Sequence, residues 1–169
     1  NKDNIRGALE DSLTRLQTDY LDLYQIHWPS RPNHHFGSSW AYDAYNGSDN
    51  RDAIRDNMLE VLEELQKLVQ EGKIRHIGLS NETVWGTMQW LQLAEKHNLP
   101  RVVSMQNEYS LLQRHYDLEM AELTRHEQVG LLAYSPLAAG VLTGKYLDGA
   151  MPEGSRGAIS GSAFWRNNE

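Results

Sequence analysis

Short apolar segments that each close on polar residues recur along this chain at nearly one interval, and that interval restricts the folds open to it. Ile74-Arg75-His76-Ile77-Gly78-Leu79-Ser80, Val102 to Gln106 and Gly130-Leu131-Leu132-Ala133-Tyr134-Ser135 read as β-strands. Between them, Thr83 to about His97 and Tyr116 to about Gln128 read as helices, the first closed by Asn98-Leu99-Pro100. The strand ends at Ser80, Gln106 and Tyr134 stand 26 and 28 residues apart, the length of one strand, one helix and their connections. Such spacing predicts parallel strands, because a chain must cross back along a helix before it can run in the same direction again.

The N-terminal part follows the same scheme. Ile5, Leu9, Leu13 and Leu16 share one helical face behind the capping candidates Asp3 and Asn4. Tyr20 to His27 reads as a strand, stopped by Trp28-Pro29. The 53 residues from His27 to Ser80 are twice the usual step because residues 29–52 form an inserted loop, which includes Gly37, Gly47, Trp40, Tyr42 and Tyr45. A helix then carries Ile54, Met58, Val61, Leu62, Leu65, Leu68 and Val69 on one stripe and ends at Glu71-Gly72, with Gly72 suited to a left-handed cap. Residues 136–169 are Gly-rich without a sustained period and read as a loop. The whole of 1–169 reads as one partial domain. It opens without Met and closes in a polar stretch, so an excerpt of a longer protein is expected.

Two architectures use such units. A doubly wound sheet calls for a Gly-rich phosphate loop between strand and helix, and neither G-x-G-x-x-G nor a P-loop occurs. A (β/α)8 TIM barrel takes ~250 residues, so four strands make roughly half of one. The outer strands, Tyr20–His27 and Gly130–Ser135, would then keep bare edges that invite homo-oligomer formation.

Composition removes several partners. The net charge of −7, from 23 acidic against 16 basic residues without a basic run, argues against nucleic acid and anionic membranes as partners. The chain has no cysteine, and no apolar run approaches a membrane span, which makes the cytoplasm the expected compartment.

In barrels, chemistry collects where strands end. Here the ends are His27-Trp28, Ser80-Asn81, Gln106-Asn107 and Tyr134-Ser135, a nearly uncharged set. A catalytic metal needs several carboxylates or imidazoles, and only Glu108 lies near, so no metal is expected. A Schiff base needs a strand-end lysine, but Lys73 precedes its strand and Lys145 lies in the tail; a serine hydrolase needs G-x-S-x-G, which is missing. Amides and hydroxyls beside one phenol suit a flat, carboxamide-bearing ring such as nicotinamide. His34-His35 resembles a metal pair only superficially.

At these residues the sequence resembles the aldo-keto reductases. Leu21 to Pro29 is similar to the motif around that family's catalytic histidine, and Gly72 to Asn81 to its fifth-strand motif. Met105 to Leu112, Ala133 to Leu137 through Gly140, and Leu142 to Tyr146 continue the likeness in family order over nearly the whole chain. The branch it looks most like is a bacterial one akin to potassium-channel β-subunits. The resemblance implies an NADPH-dependent reduction of small aldehydes or ketones to alcohols. His27 would orient the substrate carbonyl. Ser80, Asn81 and Gln106 would hold the nicotinamide carboxamide, and Tyr134 would stack on the ring. Ser135, Pro136, Leu137 and Lys145 would line the pyrophosphate path, with Arg156 following. The family's other catalytic residues, an Asp, a Tyr and a Lys, belong to strands ahead of Asn1, so these 169 residues are expected to lack efficient turnover. A second reading stays open, in which the chain is a nucleotide-sensing regulatory module of the channel-β type or an inactive remnant.

Overall fold

The computed structural model describes residues 2–33 and 50–160. The expected inserted loop lies largely outside them, with His34, His35, Trp40, Tyr42 and Tyr45. The described elements are α1 (Lys2–Leu16), β1 (Leu21–Ile26), α2 (Arg51–Gln70), β2 (Ile74–Ser80), α3 (Val84–His97), β3 (Val102–Glu108), α4 (His115–His126) and β4 (Gly130–Tyr134). All four strands are parallel and ordered β1-β2-β3-β4, as the spacing requires. One apolar cluster joins the four helices to the sheet. It contains Leu9 and Leu13 of α1, Met58, Leu62, Leu65 and Leu68 of α2, Trp90 and Leu91 of α3, and Met120 of α4 against Ile77, Leu79 and Met105. Helices gathered on one side of sequentially ordered strands make a barrel wall; a doubly wound sheet would carry them on both faces.

Local chemistry explains most boundaries. α2 begins at Arg51, inside the stretch expected to be loop, because the Asn50 side chain accepts from the backbone N–H of Asp52 at 2.9 Å and of Ala53 at 3.3 Å. It ends where Gly72 takes φ +73°, the left-handed position expected of it. α3 ends on Asn98 at φ +52°. α1 already starts at Lys2, so Asp3 and Asn4 stand in its first turn and do not precede it. The tail expected to be plain loop contains two 3-10 segments, Ala138–Thr143 and Leu147–Gly149, and a short helix α5 (Arg156–Ser160).

The side of the sheet away from the helices is set by one glycine. Gly78 pairs with Gln25 on one side and Ser104 on the other. A Cβ at Gly78 would lie 2.3 Å from Ser104 Oγ and 3.3 Å from both Gln25 Cγ and Leu23 Cδ1, so the side chains of the flanking strands close over its bare Cα. A bulge accompanies this crowding. Ile77 pairs with Val102 but Gly78 with Ser104, leaving Val103 over and 39% exposed.

Two glycines should therefore respond with opposite signs. Gly78→Ala is expected to destabilise by about 1–3 kcal/mol through overpacking. Gly7→Ala, in the exposed part of α1 with nothing within 4 Å of the added carbon, should stabilise by about 0.5–1 kcal/mol. Urea unfolding midpoints check both, and equal shifts would contradict this account of the sheet.

Candidate active site

Parallel pairing brings four strand ends to one rim, and register decides which residues meet there. Ser80 lies opposite Gln106, and Glu108 opposite Tyr134. β1 stops at Ile26, which leaves His27 as the first residue beyond it. Just past β2 the chain turns through Asn81 at φ +57°, a left-handed conformation that asparagine tolerates better than most residues. In that turn the Asn81 backbone N–H donates to the Gln106 carbonyl at 3.0 Å.

The Asn81 amide becomes the hub of the rim. Its Nδ2 donates to the His27 carbonyl at 2.9 Å and to Ser80 Oγ at 3.1 Å, while Oδ1 accepts from the Tyr134 hydroxyl at 3.0 Å. The Ser80 hydroxyl donates onward to the Gln106 carbonyl at 2.8 Å. A connected set of hydrogen bonds thus spans all four strand ends. Asn81 is not the cap of α3; Thr83 is, its Oγ1 accepting from the Gly86 N–H at 3.2 Å. Ser80 is buried, and burial pushes the Tyr134 phenol up to about 12, so Tyr134 stays a neutral donor at ordinary pH. The Gln106 side-chain amide makes no hydrogen bond among the described residues, whereas Asn81 and Ser80 spend most of theirs on the brace.

The His27 imidazole is exposed at the rim, its ring centroid 6.0 Å from that of Trp28 with a tilt of 48°. A cavity of about 520 Å³ opens beneath it, walled by Tyr24, Ile26, Ile54, Met58 and Trp90 among others. His27 and Ser80 of the rim also line that cavity, while Gln106 and Tyr134 stand outside it.

The remaining expected residues form a second group that continues the chain from Tyr134. Ser135 takes φ +54°, and its carbonyl accepts from the Ala138 N–H at 2.8 Å, which swings Pro136 and the half-exposed Leu137 away from the strand. The Lys145 side chain folds over Gly140: a Cβ there would lie 2.8 Å from Lys145 Cε and 3.0 Å from Nζ. Lys145 Nζ also sits 5.2 Å from the Tyr146 ring centroid. The Tyr146 hydroxyl accepts from the Gly157 N–H at 3.0 Å, which lowers its pKa and ties the segment carrying Arg156 to the one carrying Lys145.

Sequence reasoning missed Arg31, Asn33 and Glu82 at this rim, and named Asn107 as a strand end without giving it a role. Asn33 Nδ2 donates to the Asn81 carbonyl and Asn107 Nδ2 to the Glu82 carbonyl, each at 3.2 Å, while Arg31 pairs with Glu82. For the first three, only the adjacency of Glu82 to Asn81 was a signal.

Residues 1–160 match the model of the aldo/keto reductase family. The chain belongs to that family. Protein tas of Escherichia coli is 52% identical over 159 residues, which cover 94% of this chain and 44% of that protein. Aflatoxin B1 aldehyde reductase member 2 of Rattus norvegicus is 31% identical over 169 residues, covering 98% of this chain and 40% of its own length. Among solved structures, the thermostable aldo-keto reductase Tm1743 superposes with a TM-score of 0.60 at 28% identity, covering 81% of this chain and 40% of that one. The chain thus spans less than half of these relatives, and its four strands are part of the family's (β/α)8 barrel.

In this aldo/keto reductase chain the phenol at the rim gives a direct measurement. Its folded pKa, about 12, lies above the ordinary value of 10, so the stability that neutral Tyr134 contributes is complete below pH 10 and is lost as pH rises through the folded value. Alkaline ultraviolet titration of the wild type against Tyr134→Phe should show one phenol ionising near 12, and the wild type should lose stability faster across that window. Ionisation near 10 would contradict its burial.

Proposed function

We propose that this chain is the central part of a cytoplasmic, NADPH-dependent oxidoreductase that reduces aldehyde or ketone carbonyls to alcohols. The observation carrying this reading is the rim itself, where the Ser80, Asn81 and Tyr134 side chains are fixed by one another and the Gln106 amide beside them is unspent. A carboxamide presents one acceptor and an NH2 donor pair in a plane. Gln106 can donate to the acceptor, while Ser80 Oγ and Asn81 Oδ1 each keep a lone pair for the NH2 group. The donor set therefore fits nicotinamide.

Bound there, the dinucleotide would supply the hydride. Ser80, Asn81 and Gln106 would orient its carboxamide, and the Tyr134 ring would fix the plane of the nicotinamide. Ser135, Pro136, Leu137, Lys145 and Arg156 would follow the pyrophosphate, with the two cations balancing its charge. His27, exposed beside the hub, would donate to the carbonyl oxygen and orient it for attack, where negative charge develops. The remaining acid–base residues of the family belong to strands ahead of β1, so residues 1–169 by themselves are expected to turn over poorly. The rat relative named for aldehyde reduction supports the substrate class. No helix among the described residues is long and apolar enough to cross a membrane, in keeping with the proposed compartment.

Titration with NADPH, followed through nicotinamide fluorescence, tests the site. Gln106→Ala and Tyr134→Ala are each expected to weaken binding by about five- to tenfold. Binding by the wild type with both variants binding equally well would overturn the assignment, and the same titration with NADH tests the preference for NADPH.

A further inference from the structure

Charges rarely enter a protein interior unless paired, and a pair that does enter needs a reason beyond stability, since an apolar replacement is often neutral or better. The Arg31 and Glu82 side chains are 7% and 3% exposed. By contrast, in the ion pairs made by Lys2, Arg6, Arg51, Lys67, Lys73, Arg75, Arg101 and Arg114, at least one side chain is 36% or more exposed. The pair is also held from several sides. Arg31 Nη1 donates to Glu82 Oε2 at 2.9 Å, Nη2 donates to Glu82 Oε1 and, at 3.0 Å, to Thr83 Oγ1, and the guanidinium stands 5.1 Å from the Trp85 ring centroid. Glu82 accepts further from the Thr83 N–H at 2.7 Å and from Trp90 Nε1 at 3.3 Å.

Its place in the chain shows what it constrains. Arg31 lies four residues beyond His27, and Glu82 directly follows Asn81. The two loops already touch through the His27 carbonyl on Asn81 Nδ2 and through Asn33 Nδ2 on the Asn81 carbonyl. Neither of those bonds orients the His27 side chain by itself. The first turn of α3 makes room for the pair: a Cβ at Gly86 would fall 2.1 Å from Glu82 Oε1 and 2.4 Å from Arg31 Nη2.

We propose that Arg31 and Glu82 are positioning residues whose buried fork sets where the His27 imidazole stands relative to the Asn81 amide. The link to turnover rests on the carbonyl-reducing reading above. Lysine at position 31 keeps the charge but cannot make the two-pronged contact, so the loop after β1 loses its fixed angle while Gln106 and Tyr134 remain in place.

The full-length polypeptide bearing Arg31→Lys tests this through two readouts. The His27 ring nitrogen resonances should shift, with those of the Gln106 side-chain amide unchanged. The kcat for aldehyde reduction should fall by about ten- to a hundredfold, while NADPH affinity falls by much less, because Gln106 and Tyr134 make no contact with the pair and keep their places. Gly86→Ala, which crowds the pair without removing a charge, should move His27 in the same way with a smaller loss. Unchanged His27 resonances overturn the proposal, and so does a loss of kcat that merely tracks falling cofactor affinity and melting temperature. An inactive wild type whose His27 signals still respond to Arg31→Lys would count against the proposed reaction and in favour of the positioning role.

Discussion

Everything at the rim depends on parallel pairing in sequence order. Because β1 to β4 run the same way and neighbour one another consecutively, their C-terminal residues have to emerge side by side. Register then refines the arrangement by setting Ser80 against Gln106 and Glu108 against Tyr134. The helices between strands are what make this pairing possible, and their apolar stripes supply the burial that holds the strands together. A slip of one residue in any strand would turn the rim residues to the opposite face and empty the site.

Within that frame the choice of an amide at position 81 has a physical reason. The hub must donate to one carbonyl and one hydroxyl while accepting from a phenol. A carboxylate could accept but not donate, and a hydroxyl could not reach three partners. The left-handed turn at Asn81 adds a second requirement that few other side chains meet. Connected networks of this kind are costly when partly satisfied and rigid when complete, which suits a surface meant to fix the angle of a flat ring. The deeper brace of Arg31 and Glu82 extends the same logic to the loop after β1, where an exposed imidazole would otherwise be held only by its backbone.

How much of this was legible in the sequence follows from the range of each interaction. The strand–helix alternation, the stripe of α2 and the turn residues Gly72 and Asn98 are local patterns, and they stand as the spacing indicated. The residues that share the hub, Ser80, Asn81, Gln106 and Tyr134, were recognisable because strand ends in such units must converge. The pairing of Arg31 with Glu82 spans 51 positions and depends on how the loop after β1 folds back, so no local pattern reveals it. Asn81 and Thr83 are both residue types that suit a helix N-terminus, and Thr83 caps α3 while Asn81 is engaged by the rim. The 3-10 segments after β4 escaped notice for a similar reason. Ser135, Ala138 and Ala139 adopt positive φ, a conformation that composition argues against and only the tertiary context supports.

The central claim is that one rim, built from four strand ends, receives a nicotinamide carboxamide. A crystal structure of the protein with bound NADPH tests it most directly. The account predicts the carboxamide within hydrogen-bonding distance of the Ser80, Asn81 and Gln106 side chains, with the Tyr134 ring against the nicotinamide face and His27 at the open side. A dinucleotide bound elsewhere on the molecule, with those side chains left as they stand here, would contradict it.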